Sequence, residues 1–134
     1  MKLDWRVGVV LAATLIACTE PTKHPTACQG DVALAVGLAG GDTPVFGWSP
    51  GCGISRLSVE RVPAAGGDPV LMWQLTAPDN AQIGPSILYG RTPRGATETR
   101  AALQLTSGIT YRVTVMSTVG GDGVVGSGTV TFQL

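Results

Sequence analysis

The sequence predicts an all-β fold, an antiparallel β-sandwich of about seven strands that follows an N-terminal signal segment. Three observations predict it. Nineteen glycines and nine prolines among 134 residues supply the left-handed and fixed-φ positions of tight turns and oppose long helices. Charged residues make up only 13%, so long solvated helical faces are not written into the chain. From Asp31 onward, short β-rich stretches alternate apolar with polar residues and are separated by Gly, Pro and Asp, the pattern of antiparallel strands with one buried face.

Taken in order, the predicted strands cover residues 32–38, 45–48, 55–62, 70–76, 86–89 with a continuation at 102–105, 111–118 and 128–134. Alternation is cleanest at Tyr111, Val113 and Val115, and again at Val130, Phe132 and Leu134. Those side chains are expected to point inward. Residues 82–95 (QIGPSILYGRTPRG) are too rich in Pro and Gly for a simple strand connection, and they read as a strand plus an extended loop.

The chain begins differently. Lys2 and Arg6 flank a short apolar run at residues 7–16, and the small Ala17 precedes Cys18, which is the layout of a secretory signal. A spanning helix needs about 20 apolar residues, so this run is too short to be a stable transmembrane segment. Leu15-Ile16-Ala17-Cys18 resembles the lipobox of bacterial lipoproteins. That resemblance implies a signal peptide at 1–17, cleavage before Cys18, and acyl chains attached through the Cys18 sulfur. One chain anchors only marginally, and multiple acylation gives stable attachment. An ordinary signal peptide with an incidental cysteine is the competing reading. Thr19 follows Cys18; in a Gram-negative source, the lack of Asp there implies sorting to the outer membrane.

Residues 18–27 would then be the lipidated cysteine and a polar linker, and 28–134 the sandwich domain. Pro21 and Pro25 favour extended backbone in the linker. Its nine residues after Cys18 reach at most about 30 Å, which keeps the domain close to the bilayer. The only histidine, His24, lies in this segment and reads as a solvated linker residue. With Cys18 assigned to lipid, Cys28 and Cys52 remain, and an even pair in an exported chain predicts a disulfide. Free thiols, a reactive pair or a metal site are the alternatives, but a Zn site normally takes four ligands.

A second resemblance covers about residues 31–134. Phe46-Gly-Trp48-Ser-Pro50, then Leu57-Ser-Val59, then Leu105-Thr-Ser-Gly108-Ile-Thr-Tyr111-Arg-Val113-Thr-Val115 is similar to a fibronectin type III domain, a seven-stranded sandwich of immunoglobulin-like architecture. The last stretch resembles a tyrosine corner, in which the phenol hydrogen-bonds back to the preceding turn. The resemblance implies that Trp48 is a core residue of the second strand. It also implies that the start of the first strand and the loop after the second share one end of the sandwich, where Cys28 and Cys52 can pair.

Several function classes are disfavoured by composition. Nine basic and nine acidic residues balance, and the arginines at 56, 61, 91, 94, 100 and 112 are scattered, so no basic field exists to bind nucleic acid. With His24 outside the domain, no Ser-His or Cys-His arrangement is available within it, and the expectation is a protein that is not an enzyme, with no catalytic residues, cofactor or metal. Three Gly-Gly-Asp triplets, at 40–42, 66–68 and 120–122, read as turns distributed over both ends of the sandwich rather than as one calcium site. Trp73 and Tyr89 are the open question. The run Val70, Leu71, Met72, Trp73, Leu75 has no clean inside face, and reads either as a doubly covered strand or as an exposed binding patch. The resulting expectation is an exported, membrane-anchored interaction or structural module of the cell envelope with a protein partner. A carbohydrate-binding module using Trp73 and Tyr89 is the alternative, and an enzyme a distant third.

Overall fold

The computed structural model describes residues 24–79, 82–120 and 123–134. The predicted signal segment and Cys18 lie outside the described residues. The described chain is all-β, with nine strands: β1 Gly30–Asp31, β2 Ala33–Ala39, β3 Thr43–Ser49, β4 Arg56–Arg61, β5 Val70–Thr76, β6 Ile87–Leu88, β7 Thr97–Arg100, β8 Thr110–Val119 and β9 Gly123–Gln133. They form two sheets, of order β1-β9-β8-β4-β5-β7 and β2-β3-β6.

The count of seven strands is therefore corrected to nine, and the wholly antiparallel arrangement to a mixed one, because β1 runs parallel to β9. The two unpredicted strands carry no hydrophobic signal. β1 is two residues long, and β7 (TETR) is exposed at every position. β7 forms because its backbone completes the edge of β5, pairing Glu98 with Leu75 and Thr97 with Thr76. The expected continuation at 102–105 is not a strand, although the Leu103 N–H donates to the Met72 carbonyl at 3.0 Å.

The longest strands follow their alternation. Tyr111, Val113 and Val115 of β8 are buried, and Val130, Phe132 and Leu134 are half-buried with exposed residues between them. Ser117 occupies the next inward position of β8 and is fully buried. Its hydroxyl is satisfied by donating to the Gly53 carbonyl at 2.5 Å, as a buried polar group requires.

The two sheets meet through aromatic rings. Phe46 of β3 packs edge-on against Phe132 of β9, with ring centroids 5.7 Å apart, and Phe132 also lies 5.6 Å from Tyr111. Edge-to-face pairs contribute about 0.5–1.5 kcal/mol beyond their buried area. Trp48, Ile54, Leu57, Val59, Trp73, Leu75 and Ile87 complete the core.

The N-terminal segment can lie against β9 only because two glycines there lack side chains. A Cβ at Gly126 would strike the carbonyl of Cys28, and one at Gly128 the carbonyl of Val32. The chain therefore passes from β1 in one sheet to β2 in the other across a bare stretch of β9.

Candidate functional site

Strand directions give the domain two distinct ends. β2, β4, β5, β8 and β9 all terminate at one or the other, and the loops sort accordingly. At the first end, Ala27 bridges to Gly53, the Cys28 N–H donates to Gly53 O at 2.9 Å, and the Gly53 N–H donates to Thr26 O at 2.6 Å. Cys28 and Cys52 are joined by a disulfide with Cα atoms 4.8 Å apart, within the span such a bond needs. Cys28 is fully buried. The Trp48 indole N–H donates to the Cys52 carbonyl at 2.8 Å, so β3 and the bridge brace one another.

The same end holds the turn between β8 and β9. Gln82, buried beside Gly53, donates through Nε2 to the Thr118 carbonyl at 3.3 Å. The Thr118 hydroxyl donates to Asp79 Oδ1 at 2.7 Å. His24 is exposed just before this end.

The second end holds the turns between β2 and β3 and between β4 and β5, and the approach to β8. Tyr111 is buried, and its phenol oxygen accepts from the Thr106 N–H at 2.7 Å while its O–H lies 3.4 Å from the Thr106 carbonyl. The phenol thus bonds to the turn that precedes its own strand. Of the Gly-Gly-Asp triplets, the first two lie in loops at this end; of the third, Gly120 directly follows β8 at the other, and residues 121–122 lie outside the described residues. Gly40, Gly41, Gly66 and Gly120 all have positive φ, the conformation for which glycine is favoured. No group of three or more His, Cys, Asp or Glu able to hold a metal occurs among the described residues.

Trp73 and Tyr89 are brought together, but not as an exposed patch. Their ring centroids lie 5.1 Å apart in an edge-on arrangement, and Trp73 is 0% exposed. The Trp73 indole N–H donates to Glu98 Oε2 of β7 at 2.8 Å. Tyr89 is half-buried, and its O–H donates to the Leu103 carbonyl at 2.7 Å. Burial first, and then the neighbouring Tyr111, push the Tyr89 phenol up to about 12, against a partial lowering by its bond to Leu103. Trp73 therefore offers no ring face for a sugar to stack on. Pairing with β4 passes from Trp73 to Leu71 and leaves Met72 as the extra residue of a bulge, also buried in the core, which accounts for the adjacent apolar pair Met72-Trp73.

A cleft of about 640 Å³ opens at the second end, within the range of small-ligand and side-chain pockets. Leu38, Asp42, Tyr89, Gln104, Leu105 and Ser107 line it, mixing apolar walls with hydrogen-bonding groups. Sequence reasoning missed this cleft. Its residues come from four separate segments, around 38–44, 89, 104–107 and 134, and no local pattern marks them as neighbours. The one available signal is Leu38, an apolar residue at the end of a predicted strand and next to a Gly-Gly-Asp turn, and it is 55% exposed.

No protein-family model matches the chain, and neither a curated protein nor a solved structure matches it. Among the described residues, no helix is long and apolar enough to cross a membrane.

Proposed function

We propose that the chain is an exported, lipid-anchored module of the cell envelope, non-catalytic, whose fibronectin type III-like sandwich binds a protein partner or serves a structural role. The fibronectin-like reading is supported by strand order. β9-β8-β4 are adjacent, as are the last, sixth and third strands of immunoglobulin-like sandwiches, and Tyr111 opens β8 with its phenol bonded to the preceding turn. The anchor reading rests on Leu15-Ile16-Ala17-Cys18 and the short apolar run before it. A disulfide between the other two cysteines suits an oxidising compartment and leaves Cys18 for lipid.

One observation carries the functional reading: the linker meets the domain at the disulfide end, while the cleft lined by Leu38, Gln104 and Leu105 opens at the other. A domain tethered in this way presents the cleft away from its anchor, while β7, paired with the disulfide-end half of β5, leaves the sheet edge open along the domain's side. An extended segment of a partner can add to such an edge, with neighbouring pockets taking its side chains.

The test is capture from envelope extracts on a soluble domain of residues 27–134, with a glycan array run in parallel. The reading predicts recovery of a specific protein that is lost on Leu105→Asp. Retention on glycans with no specific protein recovered would overturn it.

A further inference from the structure

The two ends of the domain differ in how they expose apolar surface. Leu38, Val70 and Leu103 are exposed singly, on β2, on β5 and in the segment after β7. Val119, Val124 and Val125 are 54%, 56% and 38% exposed, and all three belong to the tip of one hairpin, β8–β9. Pairing in this hairpin shifts register between Ser117 and Thr118, so that Ser117 faces Gly126 and Thr118 faces Val124. Val125 is thereby the extra residue of a β-bulge. Bulges bend and twist a strand end, and this one carries an apolar side chain where an exposed turn ordinarily carries a polar one.

The hairpin tip lies beside the point where the linker reaches the domain. Ala27 bridges Gly53, whose carbonyl accepts from the Ser117 hydroxyl. Gly30 pairs with Gly126, one residue past Val125. Nine residues, 19–27, separate Cys18 from that point, and even fully extended they span at most about 30 Å. An exposed arginine, Arg56, lines a shallow cleft with Met116, Thr118 and Val124, placing a guanidinium where a phosphate could pair with it.

We propose that Val119, Val124 and Val125, with Arg56 beside them, rest on the same lipid surface that holds Cys18, and so set the domain end-on to the bilayer with its cleft facing outward. This rests on the lipid-anchor reading above, and it adds an orientation that attachment through Cys18 alone does not impose.

The test uses the full exported chain, purified from membranes and reconstituted into phosphatidylethanolamine–phosphatidylglycerol vesicles. Val124→Cys and, separately, Leu38→Cys carry an environment-sensitive fluorophore, and fatty-acid labelling of Cys18 is read on the same samples. The expected result is a labelled Cys18, a blue-shifted emission at position 124 that is protected from aqueous iodide, and an unshifted, quenchable probe at position 38. Val119→Ser with Val125→Ser, added to Val124→Cys, removes enough apolar contact to lower the docked population about tenfold. A probe at Val119→Cys gives an independent reading should substitution at 124 disturb the bulge. A lipid-labelled Cys18 with water-exposed probes at both 124 and 119 overturns the docking and leaves the anchor standing. An unlabelled Cys18 overturns the anchor reading and the docking with it.

Discussion

The two ends of the sandwich are closed by different chemistry. At one, the chain is fastened covalently, Cys28 to Cys52, and the bond is flanked by backbone hydrogen bonds from Cys28 and Gly53. At the other, closure depends on a phenol: Tyr111 holds the turn at Thr106 with no covalent help. The difference follows from what each end must hold. The disulfide end retains a two-residue strand, β1, which has little pairing of its own. At the corner end β8 begins and β9 finishes, two long strands that already pair along their whole length, and only the turn before β8 needs fixing.

Separating the two closures by mutation gives the largest expected effect first. Replacing both Cys28 and Cys52 with Ser opens a loop whose ends are 24 residues apart, which on the chain-entropy estimate lowers stability by about 3–4 kcal/mol. Urea unfolding measures this, and hydrogen exchange should show protection lost first around β1 and Gly53. A loss of protection spread evenly over both ends would break the distinction between them.

At the corner end, Tyr111→Phe leaves the Thr106 N–H without its partner and should cost about 1–2 kcal/mol. Exchange should quicken around residues 106–108 while the disulfide end is unaffected. An unchanged unfolding midpoint would mean that β8 and β9 hold this end alone.

Tyr89 sharpens the comparison through pH. Between about pH 10, its ordinary value, and about 12, its raised value, the folded phenol retains a proton that the unfolded chain has released. Its contribution to stability is complete below pH 10 and is lost as pH rises through 12. Thermal unfolding of Tyr89→Phe should therefore decline less steeply over that window than the parent. Parallel declines would show that another group governs alkaline unfolding.

The smallest effect belongs to the face between the ends. Arg112 and Glu60 pair at 2.7 Å across β8 and β4, with both side chains about a third exposed. Such solvent-screened pairs contribute roughly 0–1 kcal/mol, so Glu60→Gln should shift the urea midpoint only slightly, and less as salt is added.

What could be read in the sequence depended on how each element is buried. β8 and β9 alternate because one face meets the core and the other water, and their inward residues were legible at Tyr111, Val113 and Val115. β7 has no buried side chain, and nothing in Thr-Glu-Thr-Arg distinguishes it from a loop. β5 was legible as a strand, but its covering was not. The Leu103 backbone and the Tyr89 ring that close over it come from residues 16 or more positions away from those they contact. The disulfide was legible from the cysteine count and the export that the N-terminal residues imply. The cleft was not, because it exists only once residues near 38, 89, 105 and 134 converge.

The central claim, that this domain is held to a membrane from its disulfide end through Cys18, is tested most directly by fatty-acid labelling and membrane fractionation of the parent and of Cys18→Ala. The account predicts a labelled, membrane-bound parent, with a Cys18→Ala chain that takes up no label and leaves the mature membrane-anchored pool. Equal labelling and equal membrane retention of the two would contradict it.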